Sequence, residues 1–204
     1  MNIMKKITRI NSRALPIRTE NIDTDQIIPA KFLKTTRKTG IGQYLFYHWR
    51  FDSKGGPMTD SVFSQSNHKE AKILLAGKNF GCGSSREHAV WALQDYGFEA
   101  IISSSFGDIF RTNSLKNGLL TIQLSEAEMN EIFELFETGL THEIHIHLAR
   151  QEIRIPTLGK KFKFAIDPFR KKTLLEGVDE LEYILGLQDK ILKYEKNHNN
   201  FVTL

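Results

Sequence analysis

From Ala71 onwards short apolar runs alternate with helical patterns, and that alternation limits the possible fold more than any other feature of the sequence. Lys72-Ile73-Leu74-Leu75-Ala76 is an apolar step of strand length, the pattern of a strand covered on both faces. Glu87 to Tyr96 follows, with Ala89, Ala92, Leu93 and Tyr96 on one helical face and Gly97 at the position of a C-cap. Ala100-Ile101-Ile102-Ser103 repeats the strand step. Residues 109–116 repeat the helical one before Asn117-Gly118, and 119–124 form a third apolar step. Ser125 and Glu128 have the spacing of a capping box ahead of Met129, Ile132, Phe133 and Phe136. Residues 142–148, 152–155 and 161–166 then read as strands with no helix between them, and the chain turns helical from Pro168. Strands separated by helices, then a run of strands, predict a mixed sheet with layers on both sides.

Before Ala71 the order is different. Residues 3–17 alternate loosely and read as a strand. Asn21-Ile22-Asp23-Thr24-Asp25-Gln26-Ile27-Ile28-Pro29 is a turn dense in Asp and Asn that runs into an apolar step. From 34 to 70 Gly, Ser, Lys and aromatic residues dominate, with Gly55-Gly56-Pro57 near the middle. So long a stretch without periodicity is a functional loop or an excursion pinned by its side chains. Tyr44, Leu45, Phe46, Tyr47, Trp49 and Phe51 are the expected pins. No linker divides the 204 residues, which are expected to form one domain, 1–204, with that excursion and a helical segment from 168.

Cysteine and charge restrict the chemistry. Cys82 is the only cysteine, so no disulfide can form within the chain. An iron–sulfur cluster or a thiolate zinc site needs three or four thiols. No apolar run approaches the ~18 residues of a membrane span. The start, Met1-Asn2-Ile3-Met4-Lys5-Lys6, has no apolar signal core, so a cytoplasmic location is expected. The net charge of +4 gathers between Lys5 and Lys38 and between Lys160 and Lys172. Cations spread in this way suit an anionic small molecule or an acidic partner surface. They lack the aromatic interleaving or helical stripe of a nucleic-acid binder. His142, His145 and His147 look metal-like, but on a strand only the last two share a face, and two imidazoles alone make no site.

The chemistry concentrates in Gly77-Lys78-Asn79-Phe80-Gly81-Cys82-Gly83-Ser84-Ser85-Arg86-Glu87-His88-Ala89. Three glycines in the seven residues 77–83 permit left-handed torsions and close approach of the backbone to a ligand. A helix starting near Ser84 or Ser85 leaves several N–H groups at its positive end, where anions bind. Arg86 adds a planar fork of donors suited to a carboxylate. The pattern reads as an anion site with a hydroxyl at its centre, or else as a glycine-rich turn with a serine N-cap. A phosphate-binding P-loop is excluded, because no Gly-Lys-Ser/Thr follows the required spacer. A Gly-x-Ser-x-Gly elbow fails because Ser85 and Arg86 follow Ser84. Cys82 stays open as a nucleophile, since a nearby helix start lowers a thiol pKa, with His88 its one nearby base and no Asp to orient it. His88 itself is expected to point into the core or cap a carbonyl.

Asn79-Phe80-Gly81-Cys82-Gly83-Ser84-Ser85-Arg86-Glu87-His88-Ala89 resembles the signature of the swivelling domain of the aconitase superfamily. Residues 21–29 resemble a second motif of that domain, and Ser105-Phe106-Gly107-Asp108-Ile109-Phe110-Arg111-Thr112-Asn113-Ser114 a third. With Leu45-Phe46-Tyr47-His48-Trp49-Arg50-Phe51, the pattern over residues 9–187 is similar to the separate small subunits of the isopropylmalate-type dehydratases in that superfamily. The resemblance implies an α/β fold, a three-layer β/β/α unit with a mixed sheet. It implies an enzyme that isomerises 2- and 3-isopropylmalate by dehydration and rehydration in leucine biosynthesis. The alternatives are a related hydro-lyase subunit, for citraconate, homoaconitate or a methylmalate, and a non-catalytic anion-binding subunit. The 4Fe–4S cluster of such enzymes would be held by a large partner subunit, with no metal in this chain, so the active site lies between two polypeptides. By the same resemblance Ser84 is the base whose deprotonated oxygen takes a proton from carbon, Arg86 grips a substrate carboxylate, Ser85 is a neighbouring donor to substrate and Asp25 is an active-site aspartate that contacts substrate. Lys31 or Arg50 is expected to make a second carboxylate contact. Phe32-Leu33 and residues 44–49 are the expected apolar patch for an isopropyl group.

Overall fold

The computed structural model describes residues 4–34, 36–68 and 70–197. Its strands are β1 (Arg9–Ile17), β2 (Ile73–Ala76), β3 (Ala100–Ser103), β4 (Leu120–Gln123), β5 (Glu143–His147), β6 (Glu152–Ile155) and β7 (Lys160–Lys163). They form one sheet in the order β4-β3-β2-β1-β5-β6-β7. The helices are α1 (Thr24–Ile27), α2 (Tyr47–Arg50), α3 (Glu87–Tyr96), α4 (Asp108–Lys116), α5 (Glu126–Glu137), α6 (Pro168–Glu176), α7 (Glu180–Leu185) and α8 (Gln188–Asn197).

Strand β1 is the seam of the mixed sheet. Its second half pairs parallel with β2, Ala14 opposite Ile73, and its first half pairs antiparallel with β5, Ile10 opposite Ile146. The helix-separated strands β2, β3 and β4 run parallel, whereas β5, β6 and β7, which have no helix between them, run antiparallel. All four residues of β2 are buried, because each face of the strand serves a different core. Ile73 and Leu75 join Ile102, Ile122, Phe133 of α5 and the inward residues Ile144, Ile153 and Phe162. Leu74 and Ala76 join Ile101, Val90 and Leu93 of α3 and Phe110 of α4. Successive strand residues point to opposite faces. One face of the parallel strands therefore packs in a core shared with α5 and the inward side of the antiparallel strands, and α3 and α4 cover the other, as in the expected α/β fold.

Local signals set several boundaries. Helix α3 spans the residues its apolar spacing predicts and ends on Gly97 at φ 120°. Ser125 and Glu128 close the capping box of α5 in both directions. Strand β1 begins at Arg9 and not near residue 3, which lies outside the described residues. The reason is that Ile7 N–H leaves the sheet to donate to Leu174 O at 2.9 Å. Strand β7 stops at Lys163, short of the expected 166. The stretch from 34 to 70 is a succession of single helical turns, pinned by fully buried Leu45 and Phe46 and by Phe32 stacked on Tyr44 at 4.0 Å between centroids.

Glu152, on β6, accepts hydrogen bonds from Arg154 Nε and from Lys163 Nζ. Those two partners hold its carboxyl down to about 2, against an ordinary 4.5. A depressed carboxylate pKa contributes stability above the unfolded value and loses it as pH falls through the folded one. In thermal melts, the gap between the parent chain and Glu152→Gln should therefore be full above pH 4.5 and close towards pH 2. A gap independent of pH would show that the ion pairs contribute nothing.

Candidate active site

The parallel strands all end at one edge of the sheet, where open α/β sheets bind their ligands. The loops that leave β1, β2 and β3 there are laced to one another. Gly81 N–H donates to Ile22 O at 2.7 Å, Thr24 N–H to Cys82 O at 3.0 Å, and Gly107 N–H to Phe80 O at 2.9 Å. Ser103 Oγ, fully buried, donates to Gly77 O at 2.8 Å. The three motifs quoted from the sequence thus become one piece of structure. Gly81 takes φ +73°, and a Cβ there would come within 2.3 Å of the Phe110 ring. The close approach that glycine permits at this position is of chain on chain, not of chain on ligand.

Helix α3 begins at Glu87, with Arg86 as its N-cap residue, so the expected start near Ser84 or Ser85 is wrong. Thr24 Oγ1 donates to Ser84 O at 2.8 Å, and Gly83 turns at φ +88°. These hold the segment extended through Arg86, at φ −133° and ψ 99°. Neither serine caps the helix, and Ser84 shares no helix face with His88. His88 lies half-exposed on the Trp91 ring, 4.7 Å between centroids, outside the core.

The structure brings Asp25 and Arg86 into contact and places Ser84 and Ser85 in the segment that leads into Arg86. Both serine side chains are exposed, and Arg86 is mostly buried, its side chain 20% exposed. Arg86 Nη1 donates to Asp25 Oδ1 and, at 3.4 Å, to Ile28 O. Asp25 Oδ1 also accepts the Ala30 N–H at 3.0 Å. The Arg86 hydrogen bond holds the Asp25 carboxyl below the usual carboxylate range. Ala30 opens the 3-10 turn Ala30–Phe32, which carries Lys31. The Lys31 ammonium sits over the rings of Phe32 and Tyr47, 4.8 and 4.5 Å from their centroids. Phe32, Tyr44 and Tyr47 form a half-buried aromatic wall beside the Asp25 turn. No site residue lines the 310 Å³ cavity bounded by Lys38, Trp91, Gln94 and Asn117.

Arg50 makes other contacts than those of this group. Its Nη1 donates to Gly42 O, Gln43 O and Leu45 O at 3.4, 3.3 and 3.1 Å. Its guanidinium also covers Tyr96, 4.7 Å from the ring centroid, at the opposite end of α3 from Arg86. Burial lowers its pKa. Arg50 therefore clamps the excursion onto α3. Sequence reasoning missed Thr24, whose role showed no signal beyond membership of the motif at residues 21–29.

Cys82 is partly buried, and burial, followed by the nearby Asp23 charge, pushes its thiol pKa up. The helix start that would have lowered it lies five residues further on. A protonated, recessed thiol is a poor nucleophile. Cys82→Ser should retain appreciable activity, and iodoacetamide should label the parent at pH 7 more slowly than it labels free cysteine. Complete loss of turnover would restore the nucleophile. Among the described residues no group of three or more His, Cys, Asp or Glu side chains could hold a metal ion. No helix among them is long and apolar enough to cross a membrane.

Residues 4–127 match the aconitase C-terminal domain family. The 3-isopropylmalate dehydratase small subunit of Roseiflexus castenholzii is 50% identical over 195 residues, covering 96% of this chain and 95% of its own. That of Cytophaga hutchinsonii is 46% identical over 193 residues, covering 95% of this chain and 96% of its own. The crystal structure of 3-isopropylmalate dehydratase from Methanocaldococcus jannaschii is similar with a TM-score of 0.65 at 28% identity, over 92% of this chain and 99% of that one. The family match takes in all three loops that meet at the strand ends. The chain belongs to the aconitase C-terminal domain family, among its 3-isopropylmalate dehydratase small subunits.

Proposed function

We propose that this chain supplies the proton-transfer half of a cytoplasmic, two-chain hydro-lyase that interconverts 2- and 3-isopropylmalate in leucine biosynthesis. The observation that carries the reading is the joining of the loops after β1 and β2 through Asp25 to Arg86 and Thr24 to Ser84, with the third loop bonded to Phe80 behind them, in a chain of this family. A 4Fe–4S cluster has no seat here, because one partly buried thiol cannot replace the three or four a cluster needs. Its place is on the large subunit, where it serves as Lewis acid for the departing hydroxyl.

This chain's own residues divide the remaining work. Among the described residues Arg86 bonds to Asp25 and Ile28 through Nη1, which leaves Nη2 and Nε as the donors for a substrate carboxylate. Ser85 Oγ donates to the same group. Ser84 Oγ, deprotonated before the step, takes the proton from the carbon beside that carboxylate on dehydration and so becomes a neutral hydroxyl, which returns the proton on rehydration. A serine alkoxide is too unstable in water near pH 7, so the negative charge that Oγ carries before it accepts the proton needs preorganised donors and the Arg86 cation beside it. Lys31 meets the second carboxylate, and the Phe32, Tyr44 and Tyr47 wall receives the isopropyl group. Burying such a group is worth only ~1.5–3 kcal/mol, so these few side chains decide between isopropylmalate and its smaller relatives.

A substrate panel on the chain reconstituted with its large subunit tests the reading. Isopropylmalate should give the highest kcat/KM among isopropylmalate, citraconate, homoaconitate and methylmalate. Preference for another member would move the chain to a sister hydro-lyase. Binding without turnover of any would make it an anion-binding subunit.

A further inference from the structure

Adjacent side chains of the four-residue helix α1 hold the two ends of the triplet Ser84-Ser85-Arg86. Thr24, 3% exposed, donates through Oγ1 to Ser84 O at 2.8 Å and through its N–H to Cys82 O at 3.0 Å. Asp25, the next residue, accepts Arg86 Nη1 on the same oxygen that takes the Ala30 N–H. Helix α1 is itself fixed by a reciprocal capping box, Gln26 N–H to Asp23 Oδ1 at 2.7 Å and Asp23 N–H to Gln26 Oε1 at 2.9 Å. A short rigid turn thus meets the loop at both the serine and the arginine.

Charge decides what Asp25 does there. An ionised carboxylate in contact with a dicarboxylate substrate is repelled, whereas the same carboxylate beside a guanidinium fixes its orientation. We propose that Thr24 and Asp25 are positioning residues that touch no substrate. Thr24 sets the direction of the Ser84 hydroxyl through the Ser84 backbone. Asp25 aims the Nη2 and Nε edge of Arg86 and, through Ala30, places the turn that carries Lys31. This refines the site expected from family resemblance, in which Asp25 is itself a substrate contact, and it rests on the function proposed above.

Steady-state kinetics of the reconstituted pair with isopropylmalate test it. Asp25→Asn should raise KM about tenfold, the scale of one charge-assisted hydrogen bond. Introduced on top of Arg86→Lys, it should change KM by no more than about twofold, because its effect passes through Arg86. Thr24→Val should lower kcat with KM unchanged, and Thr24→Ser, which keeps the hydroxyl, should restore it. Asp25 and Arg86 effects that multiply in the double variant would make Asp25 a direct substrate contact and overturn the proposal, and so would a Thr24→Val pair with parental kcat. If Thr24→Val does not pair with the large subunit, the Asp25–Arg86 cycle decides alone. Failure of the underlying reading would look different: Ser84→Ala would then keep its turnover whatever the cycle shows.

Discussion

Ser84→Ala in the reconstituted pair should cut kcat by roughly 10²–10⁴-fold, the range for removing a general acid–base group, while KM stays nearly constant. On the proposed function the Ser84 oxygen carries the proton in flight, so its loss should fall on the transition state and not on the grip of the carboxylates. Stability should not follow activity. The Ser84 side chain is exposed and caps no helix, since α3 starts at Glu87, and exposed substitutions of this kind usually stay within about 0.5 kcal/mol. An unchanged melting temperature beside a collapsed kcat is therefore the expected pair of results. A Ser84→Ala pair that turns over normally would place the base elsewhere.

Arg86→Lys should damage binding as well as turnover. Lysine keeps the charge but replaces the planar fork with a single ammonium, which cannot bond Asp25 and hold a carboxylate bidentately together. Losing charge-assisted hydrogen bonds to a carboxylate is worth about 1.5–3 kcal/mol, so KM should rise by roughly ten- to a hundredfold, with kcat falling too. Isothermal titration with a non-reacting dicarboxylate separates the two effects. Unchanged affinity in the variant would remove Arg86 from the substrate grip.

What the sequence discloses here follows the range of the forces involved. Helix α3, the capping box at Ser125 and the four-residue strand β3 are written in neighbouring residues, and they stand where periodicity and caps put them. The mixed sheet was legible because helices separate β2, β3 and β4 but not β5, β6 and β7. The glycine-rich loop also suggests an earlier start for α3, near Ser84 or Ser85, and that reading fails because the loop is held extended by Thr24, sixty positions earlier. The excursion from 34 to 70 consists of single turns too short to show a period. Arg50 shows another limit: a guanidinium that clamps three carbonyls reads the same, letter by letter, as one that waits for substrate. Of the site residues named from resemblance, Asp25 and Arg86 meet directly and Ser84 is joined to their turn through its backbone.

The measurement that bears most directly on the account is a titration of this chain into its purified large subunit under anaerobic conditions, following interconversion of 2- and 3-isopropylmalate. Each chain alone should be inactive, and activity should rise with added small subunit and level off at equimolar chains. The small chain should be colourless and free of iron when purified alone. Dehydratase activity in the isolated chain, or a large subunit at full rate without it, would contradict the assignment of proton transfer to Ser84 on this side of a two-chain site.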